Sequence, residues 1–505
     1  MQGSEHSDSS ANGCCVDVYS FAATTKSNST YSSKLYLANK ADSDSDIWSL
    51  TLSHNSLFIF KFIQRFINSS WYDRYEETPS PRTVTTIWSL IVSLLAVGAI
   101  CGAFSVKFVS NILGRKKGVI FNSLINIVAG ILMLISKTAK SFEMIIVARI
   151  LVGLGLPFHL MYLVEISPKK IRGRVAITSA NFLSLGKLIG QLLGLSELLG
   201  REELWHFALF FPVCFSVLQI VVLPFLPESP RYLFIEKGDK EEALQNLWGP
   251  GDYKQEIDEM LTEQEAIEAV PPKSPLMLLR DRAVRWPLIT MCLIYSFNQL
   301  SGTNAVSTFS FDIFKETGIP EDKIRYVILG LGLCEIITSM CASLLIERVG
   351  RRPFFWGGYG LMFSLWVLIT ITLNLKESVH WFSFITAFLI IFVIVCFSGG
   401  PGAAIGTLNT ELFIQSDRAP AFAITGIFRW MAYGVVGFAF PFVISSFGSY
   451  SFVLFACVCL LGCLYTFFIL PETKGKTLLE IMEEFKTITV CGKSSKQEIH
   501  VETKL

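Results

Sequence analysis

Charged residues are scarce in this chain of 505, only 17%, and neither sign is in excess: 43 Lys and Arg stand against 42 Asp and Glu, a formal charge of +1. Without a basic surplus there is no electrostatic footprint for a phosphate backbone, so nucleic acid is excluded as a partner. Histidine is rare, six in all, and no His, Cys or carboxylate cluster falls at metal-ligand or catalytic spacing. A phosphate-binding glycine loop is missing as well. These absences argue against an enzyme, a metal centre or any cofactor. Of twelve cysteines, nine (Cys101, Cys214, Cys292, Cys334, Cys341, Cys396, Cys457, Cys459, Cys463) lie in long apolar runs and none pairs at C-x-x-C spacing. They read as small core hydrophobes. Residues Met1 to Asp46 are rich in Ser, Asp and Asn and lack the apolar region of a secretory signal.

What the chain does have is apolar bulk: 51% hydrophobic residues and a mean hydropathy of +0.49, the composition of a polytopic membrane protein embedded in a lipid bilayer. A helix crossing the hydrocarbon layer needs roughly 20 mostly apolar residues. Eleven such runs occur, near 84–106, 118–136, 144–164, 175–199, 206–226, 287–308, 324–346, 354–375, 383–409, 420–442 and 450–470. They are continuously apolar rather than alternating, so helices and not barrel strands are expected.

Sidedness follows from the loop cations. Arg115 to Lys117, Lys169 to Arg174, the stretch 227–285, Arg348 to Arg352, Arg418 and the Lys-bearing tail after Pro471 fall in alternate loops. All are placed on the cytoplasmic face, and the C-terminus with them. Asn68-Ser69-Ser70 is a glycosylation sequon on the opposite side, which makes Asn68 a candidate glycan acceptor. With the tail inside, eleven crossings put the N-terminus outside, although nothing in 1–46 directs it there. The segment Ile47 to Ile67 is either a poor twelfth span or an amphipathic interfacial helix.

The chain also repeats itself. Two helical halves, 84–226 and 284–471, flank a cytoplasmic linker at 227–283; a polar segment (1–46), a weak apolar segment with an exoplasmic loop (47–83) and a cytoplasmic tail (472–505) complete the organisation. Asn111 to Lys116 (NILGRK) in the first half answers Glu347 to Arg352 (ERVGRR) in the second. Glu165 with Arg172 answers Glu411 with Arg418, and Pro227-Glu228-Ser229 answers Pro471-Glu472-Thr473. Related phrases at matched positions indicate an internal duplication. Glycine permits the tight turn, and the acidic and guanidinium groups can pair across a bundle interface. Arg115, Glu165, Arg172, Glu347, Arg351, Glu411 and Arg418 are therefore candidate gating residues, which pair in one state and release in another. Simple marking of topology is the alternative.

With these motifs, together with Asn298 to Asn304 (NQLSGTN), Gly400-Pro401-Gly402 and Arg429-Trp430, the sequence resembles the facilitative hexose transporters, sugar porters of the major facilitator superfamily. The resemblance covers about residues 50 to 485 and is nearest the branch with fructose and urate carriers. It implies an all-α fold of two six-helix bundles and a substrate that is a small sugar (fructose or glucose) or urate, carried across what is expected to be the plasma membrane. The family's first span has no clear counterpart here, so a non-transporting homologue is a rival expectation.

Polar side chains within spans are expensive in lipid and are site candidates by default. Asn298, Gln299 and Asn304 carry amides that can donate and accept at once, and Ser301-Gly302 weakens the helix between them. The resemblance makes these the central sugar-binding positions, with Asn298 standing where the family usually has glutamine, and places Trp430 under the sugar. Three charges depart from the family pattern: Lys187, Glu335 and Arg429. Ser184, Lys187 and Gln191 share one helix face by their spacing. Glu335 with Arg429 is the expected ion pair, which would leave Lys187 as a cavity cation favouring an anion such as urate. Glu335 could alternatively relay protons in a symporter.

Overall fold

A computed structural model describes residues 60–155, 181, 183–226, 228–229, 261, 275–280, 282–375, 381–413, 415–476, 480–481 and 483–485. No strand occurs among the described residues, as apolar surroundings demand of a backbone that must satisfy its own hydrogen bonds. The first two runs form α2 (Pro81–Leu113) and α3 (Arg115–Ser136), preceded by α1 (Phe60–Tyr75). The third opens as α4 (Glu143–Gly155), and the fourth contains α5 (Leu183–Leu193). Then follow α6 (Trp205–Phe210) and α7 (Pro212–Val222), interrupted by Pro212. After α8 (Pro275–Arg280), the second half runs through α9 (Arg282–Leu300), α10 (Thr303–Glu316), α11 (Glu321–Val349), α12 (Arg351–Asn374), α13 (Trp381–Gly399), α14 (Pro401–Glu411), α15 (Gln415–Phe447) and α16 (Ser451–Phe468). Seven helical stretches among the described residues are long and apolar enough to cross a membrane. The last of these, Pro420–Phe468, has 49 residues, about two crossings.

Helices α2, α3, α4, α6 and α7 pack on one another, and α9 to α16 form a second group. The groups meet where α15 lies along α2. A Cβ at Gly437 would stand 2.9 Å from Val92 Cγ1 and one at Gly434 3.1 Å from Ala96 Cβ. Small residues here let two backbones approach, which is how helices associate when no hydrophobic driving force separates them from lipid.

Of the segment 47–83, residues 47–59 lie outside the described residues, and helix over Phe60–Tyr75 runs through the end of the expected weak apolar stretch and into the expected loop. Ile63 and Ile67, one turn apart, are fully buried, Phe66 meets Trp205, and Trp71 stacks on Phe142. Ion pairs fasten its outer face, Arg74 to Glu143, Lys140 to Asp73 at 2.7 Å and Arg65 to Glu202 at 3.2 Å. The Lys61 ammonium lies 4.6 Å from the Phe311 ring of α10, so α1 reaches both groups. Asn68 is exposed on this helix rather than in a loop.

Candidate solute-binding site

The site is built around an interrupted helix. Gly302 between α9 and α10 has φ +91°, the left-handed region that glycine alone enters without penalty, and a Cβ there would meet Phe455 Cδ2 at 2.5 Å. The break frees the Ser301 carbonyl, which accepts the Trp366 indole N–H at 2.9 Å. Ser301 Oγ donates to the Asn298 carbonyl at 2.8 Å. A second departure from helix follows at Phe309 (φ −120°, ψ 26°). Unwound backbone of this kind is tolerated at membrane depth where protein surrounds it.

Three amides gather at this break. Asn298 and Gln299 are each 6% exposed, and half-buried Asn304 donates through Nδ2 to Gln299 Oε1. Asn298 Nδ2 is buried with no hydrogen-bond partner among the described residues, a group that costs about 1–3 kcal/mol unless something meets it. Helix α15 packs against α9 and α10. On it the Arg429 guanidinium lies 5.3 Å from the Trp430 ring, and Tyr433 meets that ring edge-on with centroids 5.9 Å apart. Tyr433 hydrogen-bonds Thr308 of α10 and faces Arg149 of α4. Arg149, 2% exposed, is a buried cation the sequence reading passed over; its signal is an arginine inside an apolar run.

The expected ion pair of Glu335 with Arg429 does not form. Glu335 Oε1 instead accepts from Lys187 Nζ at 2.7 Å, because the face of α5 carrying Ser184, Lys187 and Gln191 abuts α11, whereas Arg429 turns onto Trp430. Lys187 is thus not a lone cavity cation.

Of the candidate gating residues, Arg351 Nη2 meets Glu411 Oε1 at 2.7 Å. This pair joins α12 to α14 within one half rather than across the halves. Arg115 opens α3; Glu347 lies in α11 and Arg418 in α15 with their side chains outside the described residues, as are Glu165 and Arg172 altogether. Two carboxylates missed as functional explain the repeated phrases. Gly114 and Gly350, at φ +83° and +104°, start α3 and α12 with no side-chain cap of their own. Glu228 Oε1 accepts from Lys116 N at 2.8 Å, and Glu472 accepts from Arg351 N at 2.9 Å and Arg352 N at 3.1 Å. Each carboxylate meets the positive end of a helix dipole.

Among the described residues, two groups of apolar helices meeting beside a broken helix make up the architecture of a polytopic membrane protein. Residues 20–485 match the family described as Sugar (and other) transporter. The chain is 40% identical over 431 residues to mouse solute carrier family 2, facilitated glucose transporter member 9, covering 84% of this chain and 80% of that one. It is 38% identical over 432 residues to the bovine facilitated glucose transporter member 5, covering 84% and 86%. The xylose transporter XylE from E. coli, in a partially occluded inward open conformation, superposes with a TM-score of 0.72 at 18% identity, covering 88% of this chain and 100% of that one. The chain belongs to the sugar transporter family, integral membrane proteins that are carriers and not enzymes, and it shares its fold with the proton:xylose symporter XylE of the major facilitator superfamily.

Proposed function

We propose that this protein is a facilitative carrier of a neutral hexose, fructose or glucose, working by alternating access at the plasma membrane with its C-terminus in the cytoplasm. The relatives named as facilitated glucose transporters support the substrate class. The observation that carries the site is the buried, unpartnered Asn298 Nδ2 beside the bonded amides of Gln299 and Asn304. A sugar hydroxyl accepts from that group and donates to an amide oxygen, replacing its hydration shell. Trp430 supplies a flat apolar face for the ring. Millimolar affinity needs only about 4 kcal/mol, which four or five hydrogen bonds of roughly 1 kcal/mol net provide. The two halves rock about this site, with Arg115, Glu165, Arg172, Glu347 and Arg418 holding or releasing the cytoplasmic end and the Arg351–Glu411 pair bracing α12 on α14 within one half.

Tracer uptake of fructose, glucose and urate into vesicles reconstituted with the purified chain tests this, with Gln299→Ala as control. Hexose entry above empty vesicles that falls at least tenfold in Gln299→Ala is expected. Counts equal to those of empty vesicles would favour a non-transporting membrane homologue, and urate entry without hexose an anion carrier. We further infer that Asn68 carries a glycan on the exoplasmic face. Glycosidase treatment should raise electrophoretic mobility in wild type and not in Asn68→Gln.

A further inference from the structure

The helix that carries Asn304 is interrupted at both ends. Between the left-handed Gly302 and the non-helical Phe309, residues 303–308 of α10 form a short helical piece. Helix formation is cooperative, so a piece this short gains little stiffness from its own backbone and must be fixed from outside. Thr308 lies one turn after Asn304 and on the same face, and it shares a side-chain hydrogen bond with Tyr433 of α15. Next to it, Phe309 meets Phe440 of α15 with ring centroids 5.3 Å apart. Tyr433 also stands edge-on to Trp430, against which the Arg429 guanidinium lies, and Arg429 is within electrostatic reach of Tyr295 of α9. From the first group of helices Arg149 faces Tyr433. Close packing brings it there: a Cβ at Gly153 of α4 would stand 2.1 Å from the Leu95 carbonyl oxygen of α2, and one at Gly434 of α15, beside Tyr433, 3.1 Å from Ala96 Cβ of α2. Tyr433, Thr308 and Arg149 are all buried, where a hydrogen bond is electrostatically stronger than in water.

We propose that Tyr433 is a positioning residue of the solute site. Through Thr308 it holds the short piece of α10 against α15, so that the Asn304 amide and the Trp430 face keep one spacing, and Arg149 of the first half steadies the phenol that does so. This rests on the transport reading above. Tyr433 acts on the solute through these neighbours, its hydroxyl being engaged with Thr308. The geometry of the site in one half is thereby tied to a cation of the other.

The test measures uptake of tracer fructose and glucose into vesicles holding the full chain, with KM and Vmax separated. Tyr433→Phe keeps the ring and removes the hydroxyl. It should raise the KM of the carried hexose about fivefold, the size of one net hydrogen bond, with Vmax within about twofold of wild type. Thr308→Val should do the same, and Thr308→Ser, which keeps a hydroxyl, should retain the wild-type KM. The double variant should have a KM no higher than Tyr433→Phe alone, because both changes break one bond. An unchanged KM in both single variants would overturn the proposal. So would effects that add in the double variant, since each hydroxyl would then meet the solute by itself. Amide exchange of the full chain in detergent, followed by mass spectrometry, gives a readout independent of transport. Residues 303–309 should exchange about fivefold faster in Tyr433→Phe and Thr308→Val, with α9 unchanged. Where one single variant fails to fold, the other decides by KM and exchange against Thr308→Ser. If wild type carries no hexose, the transport reading fails and exchange alone decides the tie; wild-type rates over 303–309 in a folded variant would overturn it.

Discussion

An amide buried at mid-bilayer is a liability unless something uses it. Asn298 Nδ2 has no partner among the described residues, so replacing it with an apolar side chain of similar size should not harm the unliganded fold and can stabilise it. Asn298→Leu is expected to melt at or above the wild-type temperature while the KM for hexose uptake rises about 5- to 10-fold, roughly one hydrogen bond. A lower melting temperature with an unchanged KM would make Asn298 a structural residue. Asn298, Gln299 and Asn304 could be picked out from sequence because polar groups stand out against an apolar run. The partner of Glu335 could not. Which cation faces it depends on which helices abut, and the spacing of Lys187 specified a face of α5 without naming its neighbour.

At the scale of elements the same limit appears in another form. The repeated turns were visible as phrases, and Gly114 and Gly350 take the strained backbone that such turns require. The capping role of Glu228 and Glu472 was not visible, since they accept from first-turn backbone N–H groups 112 and 121 residues away in sequence. Glu472→Ala should lower stability by about 1 kcal/mol, the usual cost of a lost cap, and speed amide exchange in the first turn of α12. Exchange unchanged there, measured by mass spectrometry, would mean that the carboxylate is not the cap. The break after Leu300 was read from Ser301-Gly302. Its stabilisation by the Trp366 indole was not, because that contact spans two helices.

Across the whole molecule, runs of apolar residues carried most of the architecture, and each described run is helical. The exception is instructive. The segment Phe60–Tyr75 is too polar to read as a span, yet its charges pair with Glu202, Glu143 and Lys140, residues that only the folded chain brings near. Burial works against ionisation of Glu143, but hydrogen bonds from Arg74 and Ser141 outweigh it and hold its carboxyl below the usual range. A carboxyl so held stabilises the fold at neutral pH, and that contribution is lost as pH falls through the lowered value. Glu143→Gln should therefore cost about 0.5–1 kcal/mol at neutral pH, given the exposure of the pair, and nothing in strong acid; a melting difference that persists there would contradict this.

The central claim is that one amide-lined site takes a hexose from either face in turn without any energy source. Counterflow tests it most directly: vesicles loaded with unlabelled hexose are diluted into labelled hexose at low concentration. A carrier of this kind gives a transient accumulation of label above its final level, lost in Gln299→Ala. A monotonic rise to equilibrium, the same in wild type and variant, would contradict it.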